Sequence, residues 1–104
     1  MNDQFLSLLG LSRVSQKAAF GFDAAVKAMK TSRVHLLVSA CDLSAKTKKE
    51  LEFHCSETGT HILRSRYSIF EITAAVGLKT GVVAITDWGF AQRANAIYKG
   101  DNYI

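Results

Sequence analysis

The sequence predicts an α/β fold, a three-layer α/β/α sandwich around a small mixed, mostly parallel sheet of four strands. Amphipathic segments with helical spacing alternate with short apolar runs along the chain. One run, Val34–Ala40, is apolar on both faces apart from His35 and Ser39, which is typical of strands covered by helices on both sides. With 104 residues, 48% of them apolar and none of them proline, the chain is expected to form one domain, residues 1–104.

The N-terminal segment is expected to form a helix followed by a basic loop. The helix is predicted over Asp3–Ser12, with Asn2 or Asp3 as its N-cap, and Gly10 weakens its C-terminal half. The apolar residues that recur there at helical spacing are Phe5, Leu8 and Leu9. The polar segment Arg13–Lys17 is expected to be a loop.

A short strand, a glycine turn and a second helix follow. Ala18–Phe20 is predicted to be the strand, and it ends at Gly21, where glycine permits a tight backbone turn. Lys27 is expected to face solvent from the helix behind this turn. The apolar side chains of that helix form one stripe, which consists of Phe22, Ala25, Val26 and Met29.

The rest of the chain repeats the order of strand and helix. Asp42 and Ser44 close the Val34–Ala40 strand and can cap the next helix. Ser68 and Glu71 have the spacing of a capping box. The remaining predicted elements are a helix over Ser44–Thr58 that stops at Gly59, a strand over His61–Ser65, a helix from Ser68 to Gly77, a strand over Gly81–Thr86 and a last helix capped by Asp87.

The charge balance favours a polyanionic partner. Thirteen Lys and Arg against nine Asp and Glu give a net charge of +4, and each phosphate that a cation neutralises adds affinity by releasing counterions. No apolar run approaches the roughly 20 residues that a membrane-spanning helix needs, and the N-terminus has no signal-peptide pattern. We therefore expect a cytoplasmic protein without a membrane partner.

Metal, nucleotide and cysteine chemistry have little support in the sequence. The possible metal ligands are His35, Cys41, His54, Cys55 and His61. They form no zinc motif, and neighbours such as His54 and Cys55 point about 100° apart on a helix. No glycine-rich nucleotide motif occurs. Cys41, at the end of a strand, is a candidate nucleophile, with simple burial as the alternative. We expect no metal, no cofactor and no catalysis.

Two basic segments have the character of a nucleic-acid site. The helix behind Gly21 offers free N–H groups and a positive dipole end to phosphate, with Lys27 on its solvent face. The Arg64–Phe70 segment combines arginines with aromatic rings, which suits phosphate contact and stacking on unpaired bases. In a sandwich of this kind both segments can lie at one end of the sheet. The alternative is that these cations are solvated helix faces and that Phe70 belongs to the core.

The stretches GFDAAVKAMKTSRVHLLVSACDLS, ITAAVG and GVVAITDWGFA follow one another in a familiar order and spacing. From Phe5 to about Ala94 the chain resembles the kink-turn RNA-binding ribosomal protein family. Members of that family include the large-subunit proteins seven-Ae and thirty-e and their short bacterial relatives. The resemblance implies the same α/β/α fold and a non-catalytic role. It also implies structured RNA, expected to be ribosomal, as the partner, with ribosomal proteins as further partners.

The signature of this family lies at the start of the second helix and contains a glycine, an Asn-Glu pair and a lysine. Gly21 and Lys27 match the glycine and the lysine, so the resemblance implies that they meet RNA backbone and phosphate or base. Asp23 and Ala24 replace the Asn-Glu pair, and Asp23 can still accept a hydrogen bond from a guanine amino group. The RNA-binding residues expected from these observations are Arg13, Lys17, Gly21, Asp23, Lys27, Lys30, Arg64, Arg66 and Tyr67.

Two other classes of function stay open. A protein-interaction module of the same fold, without kink-turn specificity, is consistent with the loss of the Asn-Glu pair. An enzyme is the third class, and it would require a reactive thiol at Cys41.

Overall fold

The computed structural model describes residues 3–100, which form five helices and four strands in the predicted order. Asp3 caps the first helix by accepting a hydrogen bond from the N–H of Leu6 at 3.0 Å, whereas Asn2, the other predicted cap, lies outside the described residues. The elements are α1 (Gln4–Val14), β1 (Ala18–Phe20), α2 (Phe22–Thr31), β2 (Leu36–Ser39), α3 (Ala45–Thr58), β3 (Ile62–Arg64), α4 (Ile69–Val76), β4 (Val82–Ile85) and α5 (Trp88–Lys99).

The sheet is mixed, as predicted, with the strand order β1-β4-β2-β3. The prediction of mostly parallel pairing is wrong, because β4 is antiparallel to both β1 and β2 and only β2 and β3 pair in parallel. The reason is the connection through α4. It begins beside Ser39, where β3 ends, and it delivers β4 back to Ser39 at Val82. A connection that starts and ends at one edge of a sheet reverses the strand that follows it.

Helices cover both faces of the sheet, which confirms the three-layer sandwich. One core lies between the sheet and α1, α4 and α5, and the other lies between the sheet and α2 and α3. Strand β2 supplies both cores, since Leu36 and Val38 enter the first and Leu37 enters the second. The sheet is therefore buried on both sides, and its ends are the places where loops can form a site.

Side-chain caps define most helix starts. Ser44 accepts a hydrogen bond from the N–H of Thr47 at 3.1 Å, and Ser68 and Glu71 form the predicted capping box. Asp42 differs from the prediction. Its carboxylate accepts a hydrogen bond from the N–H of Ile69 at 2.8 Å, so it caps α4 instead of the helix that follows it in the chain. Within residues 3–100 no helix is long and apolar enough to cross a membrane.

Candidate nucleic-acid interface

The loops that follow β1, β2 and β3 meet at one end of the sheet, which we call the Gly21 end. The N–H of Gly21 donates to the carbonyl of Val82 at 2.9 Å, where β4 begins. The N–H of Ala40 donates to Gly81 at 2.8 Å, and the N–H of Ser65 donates to Ser39 at 3.0 Å. The Gly21 turn and the loop after Arg64 therefore share this end, as predicted, although they lie at its two lateral edges.

Gly21 shapes the start of α2. Its backbone angles, φ 99° and ψ 161°, lie in a region that is essentially restricted to glycine. The other four helices that the described residues form begin with a side-chain cap, from Asp3, Ser44, Ser68 or Asp87. Among residues 3–100 no side chain caps α2. The N–H groups of its first turn are consequently open to an external acceptor, at the positive end of the helix dipole.

Asp23 lies in the first turn of α2 and Lys27 near its middle, and both side chains are exposed. Lys27 stands about 9 Å along the helix axis from Gly21, within reach of an anion docked on the first turn. Lys30 belongs to the last turn of α2, so the structure separates it from the Gly21 end. Asp23 is an acidic residue on this surface and weakens its attraction for phosphate.

Arg13 and Lys17 also lie away from the Gly21 end. Arg13 donates from Nη1 to the carbonyl of Val76 at 2.9 Å, at the C-terminal end of α4. Lys17 precedes β1, at the opposite end of the sheet, and its Nζ lies 3.7 Å from the carboxylate of Asp87. The prediction that these two cations join the Gly21 surface is not supported by their positions.

The three predicted residues beside β3 are held by protein contacts. Arg64 is exposed, and its Nε lies 3.0 Å from the carboxylate of Glu52 on α3. Arg66 is exposed, and its guanidinium lies 4.9 Å from the ring centre of Tyr67 and 4.7 Å from that of Tyr98. Tyr67 is only 5% exposed and stacks on Phe5, with ring centres 5.5 Å apart. Its ring therefore cannot stack on a base without leaving the core.

Tyr67 connects this loop to the start of α1. Its hydroxyl donates to the carboxylate of Asp3 at 2.6 Å and accepts a hydrogen bond from Nη2 of Arg66 at 3.1 Å. Burial, reinforced by the neighbouring carboxylate, raises the pKa of Tyr67 to about 12. Burial alone would raise the pKa of Asp3, but hydrogen bonds from Tyr67 and the backbone outweigh it and lower that pKa. The neighbouring Tyr67 and, to a smaller extent, Tyr98 raise the pKa of Arg66.

One exposed cation in the segment that precedes β4 escapes the sequence prediction. Lys79 lies in the connection between α4 and β4, three residues before the Val82 carbonyl that receives the Gly21 N–H. The sequence does indicate that Lys79 lies in an exposed turn, because it stands between two glycines, Gly77 and Gly81. The topology is needed to bring this segment next to α2, because β4 inserts beside β1.

Cys41 lies in a cavity of about 190 Å³ between α3 and the ends of β2 and β3. Its side chain is exposed, and none of the described residues that line the cavity is a histidine. Cys55 is a buried thiol whose Sγ lies 3.9 Å from the sulfur of Met29, and burial raises its pKa. Among residues 3–100 no group of three or more His, Cys, Asp and Glu side chains is placed to hold a metal ion.

Comparison with solved structures finds the same fold in other proteins. A protein of unknown function from Bacillus halodurans has a TM-score of 0.81 and 25% identity, covering 94% of this chain and 99% of that chain. A Giardia lamblia 15.5kD RNA binding protein has a TM-score of 0.74 and 18% identity, covering 96% of this chain and 89% of that chain. No protein-family model matches the chain, and no curated protein sequence matches it significantly. The likeness to the Giardia protein supports the α/β sandwich fold.

Proposed function

We propose that this chain is a non-catalytic, cytoplasmic RNA-binding protein of the kink-turn-binding ribosomal type, and that it holds structured RNA at the Gly21 end. The observation that carries the proposal is the start of α2. There, open N–H groups behind a positive-φ glycine lie on the same helix as the exposed Lys27 and beside the segment of Lys79. This arrangement offers hydrogen-bond donors and positive charge to a phosphate backbone without any rearrangement.

The fold also supports the proposal of RNA binding. The Giardia RNA binding protein shares the architecture over nearly all of both chains. Recognition at this end would rest on backbone geometry and charge, since Asp23 and Ala24 supply neither an amide donor nor a glutamate. We therefore expect bent, non-helical RNA to bind more tightly than a straight duplex, with less base discrimination than the Asn-Glu pair gives. A place in or on the ribosome, with ribosomal RNA as target, belongs to this proposal.

The test is a titration of structured RNA with the wild-type protein and two single-charge variants. Lys27→Ala should weaken binding severalfold and reduce the slope of log affinity against log salt by about 1, because one phosphate contact is lost. Arg93→Ala is the matched control. Arg93 is an exposed cation on α5, across the sheet from α2, so its removal changes net charge equally but should leave the slope unchanged.

Equal losses in the two variants would show that binding follows net charge, which contradicts a site at the Gly21 end.

A protein-interaction module remains the second candidate. The observation in its favour is Phe70, which is 80% exposed and lines a groove of about 360 Å³ between α1 and α4. The expectation that Phe70 could be a core residue is thus wrong. Association with a protein partner that persists at high salt, without RNA binding, would favour this second candidate.

A further inference from the structure

The end of the sheet opposite the Gly21 end carries a second basic surface, which we call the Trp88 end. It is defined by Lys17, Lys30, Arg33, His35 and Trp88. Backbone hydrogen bonds hold its strands together. The N–H of Thr86 donates to Lys17 at 2.9 Å, and the N–H of His35 donates to Ile85 at 2.9 Å. Because β4 runs opposite to β1 and β2, the start of β1, the end of β4 and the start of β2 meet here.

Trp88 is the aromatic residue of this surface and remains 59% exposed. Its ring is positioned, since His35 packs edge-on against it with ring centres 5.4 Å apart and an interplanar angle of 68°. Its backbone is fixed as well, because Asp87 caps α5 by accepting a hydrogen bond from Phe90 at 3.0 Å. An exposed tryptophan held in one orientation is a preformed platform on which a flat ring can stack.

Cations lie at the same end of the sheet as this tryptophan. The Nζ of Lys17 lies 3.7 Å from the carboxylate of Asp87, which is a long ion-pair distance. Lys30, in the last turn of α2, and Arg33, two residues before His35, are both exposed. Within the part of the chain that the structure describes, neither Lys30 nor Arg33 forms an ion pair. Among the described residues, the acidic residue next to the tryptophan in sequence is Asp87. Its carboxylate accepts the hydrogen bond from Phe90 that caps α5.

From this combination we infer that the Trp88 end binds single-stranded RNA, with an unpaired base stacked on Trp88 and phosphates held by Lys17, Lys30 and Arg33. The inference rests on the proposed function in that it takes RNA as the partner. The two ends are about 15 Å apart along α2. The protein would therefore hold a structured element at one end and the single strand that leaves it at the other.

The chain has a single tryptophan, so its fluorescence reports on this surface alone. The experiment is a titration of the full-length protein with single-stranded RNA of ten uridines or ten adenines, followed by tryptophan fluorescence and by anisotropy of a labelled oligonucleotide. Stacking predicts saturable quenching that coincides with the anisotropy change and weakens with salt. Anisotropy binding without quenching, or no binding of either oligonucleotide at low salt, would overturn the inference.

Variants then identify the contacts. Trp88→Ala should weaken oligonucleotide binding about fivefold or more, because stacking on an aromatic ring is lost, whereas Trp88→Phe should keep most of the affinity. Arg33→Ala should lower the salt slope by about 0.7, the value for one phosphate of a single strand. Arg93→Ala, with the same change of charge elsewhere, should do neither. Circular dichroism and thermal melting establish that each variant is folded, and a folded Trp88→Ala with wild-type affinity contradicts the inference.

The two proposals fail separately. Lys27→Ala should weaken structured RNA more than the ten-nucleotide strands, and Trp88→Ala should do the reverse. If structured RNA binds through Lys27 while the oligonucleotides ignore Trp88, the second surface is refuted and the proposed function stands. If the oligonucleotides depend on Trp88 while structured RNA is indifferent to Lys27, the site at the Gly21 end is refuted.

Discussion

Gly21 is the residue on which the candidate surface at the start of α2 depends. A Cβ placed there meets nothing within 4 Å, so the cost of a side chain comes only from the backbone conformation at φ 99°. We expect Gly21→Ala to lower the free energy of unfolding by about 1–3 kcal/mol. Gly59→Ala is the control. It also has open space around the Cβ, but at φ 69° it should cost about 1 kcal/mol.

Urea denaturation of both variants measures this difference. In the same preparations, Gly21→Ala should weaken structured RNA binding, since any relaxation of the turn moves the open N–H groups of α2. Gly59→Ala should bind RNA as the wild type does. Equal stability losses together with equal RNA affinities would show that the unusual conformation of Gly21 has no bearing on binding.

Tyr67 contributes stability through a hydroxyl that a base-stacking residue would not need. We expect Tyr67→Phe to cost about 1–2 kcal/mol, because the partly buried carboxylate of Asp3 loses a donor at 2.6 Å. The pH dependence has a definite sign. The pKa of Tyr67 is raised to about 12 in the folded protein from the ordinary 10.0, so its contribution is complete below pH 10.0 and is lost as the pH rises toward 12.

Chemical denaturation at a series of pH values from 8 upward tests this sign. The difference in unfolding free energy between wild type and Tyr67→Phe should shrink as the pH approaches 12. A difference that stays constant or grows over that range would mean that the hydroxyl is not held protonated by the fold.

The surroundings of Tyr67 are not predictable from its neighbours in the sequence. Tyr67 lies in a basic segment, and an RNA-stacking role follows from that neighbourhood alone. Its burial results from Phe5 and Asp3, which lie more than sixty residues away in the chain and approach only after α1 packs on the sheet. Burial of one aromatic residue in a loop, and exposure of Phe70 three residues later, depend on tertiary contacts that local composition does not contain.

Arg13 shows how an apparent RNA-binding cation can belong to a helix. Its hydrogen bond to Val76 satisfies a carbonyl at the C-terminal end of α4, where positive charge is favourable. We expect Arg13→Ala to lower the unfolding free energy by about 1 kcal/mol while leaving the affinity for structured RNA within twofold of wild type. Thermal melting and an RNA titration of the same protein provide the two readings. Lost RNA affinity without lost stability would restore Arg13 to the binding surface.

Helix boundaries were largely predictable because their signals are local. The Ser68–Glu71 capping box and the glycines that end α3 and α4 act within a few residues, and the structure contains all of them. Gly10 is an exception. Its propensity predicts only a weakened helix, whereas an added Cβ would lie 2.6 Å from the carbonyl oxygen of Ala75. Glycine there permits the close approach of α1 and α4. Helix propensity does not predict this contact, because it depends on a helix that packs against α1 only in the tertiary structure.

At the scale of the whole molecule, sheet topology decides which charged residues act together. The three-layer architecture was predictable from the alternation of apolar patterns. The direction of β4 was not, because the length of the connection that precedes it does not determine at which end of the sheet β4 begins. β1 and α2 themselves separate Lys17 and Lys30 from Gly21, whereas the reversal of β4 brings its first residue, Val82, to the Gly21 end. Which of the predicted cations share an end of the sheet therefore depends on the placement of whole elements, which local composition does not contain.

In the proposed function, structured RNA meets the open N–H groups at the start of α2. The most direct measurement is amide chemical-shift mapping of the ¹⁵N-labelled protein during titration with a kink-turn RNA, with a straight duplex of equal length as control. The kink-turn should shift the amides of Phe22, Asp23 and Ala24 first, together with Lys79, and leave Gly59 unchanged. Shifts confined to the groove around Phe70, or identical shifts with the straight duplex, would contradict the claim.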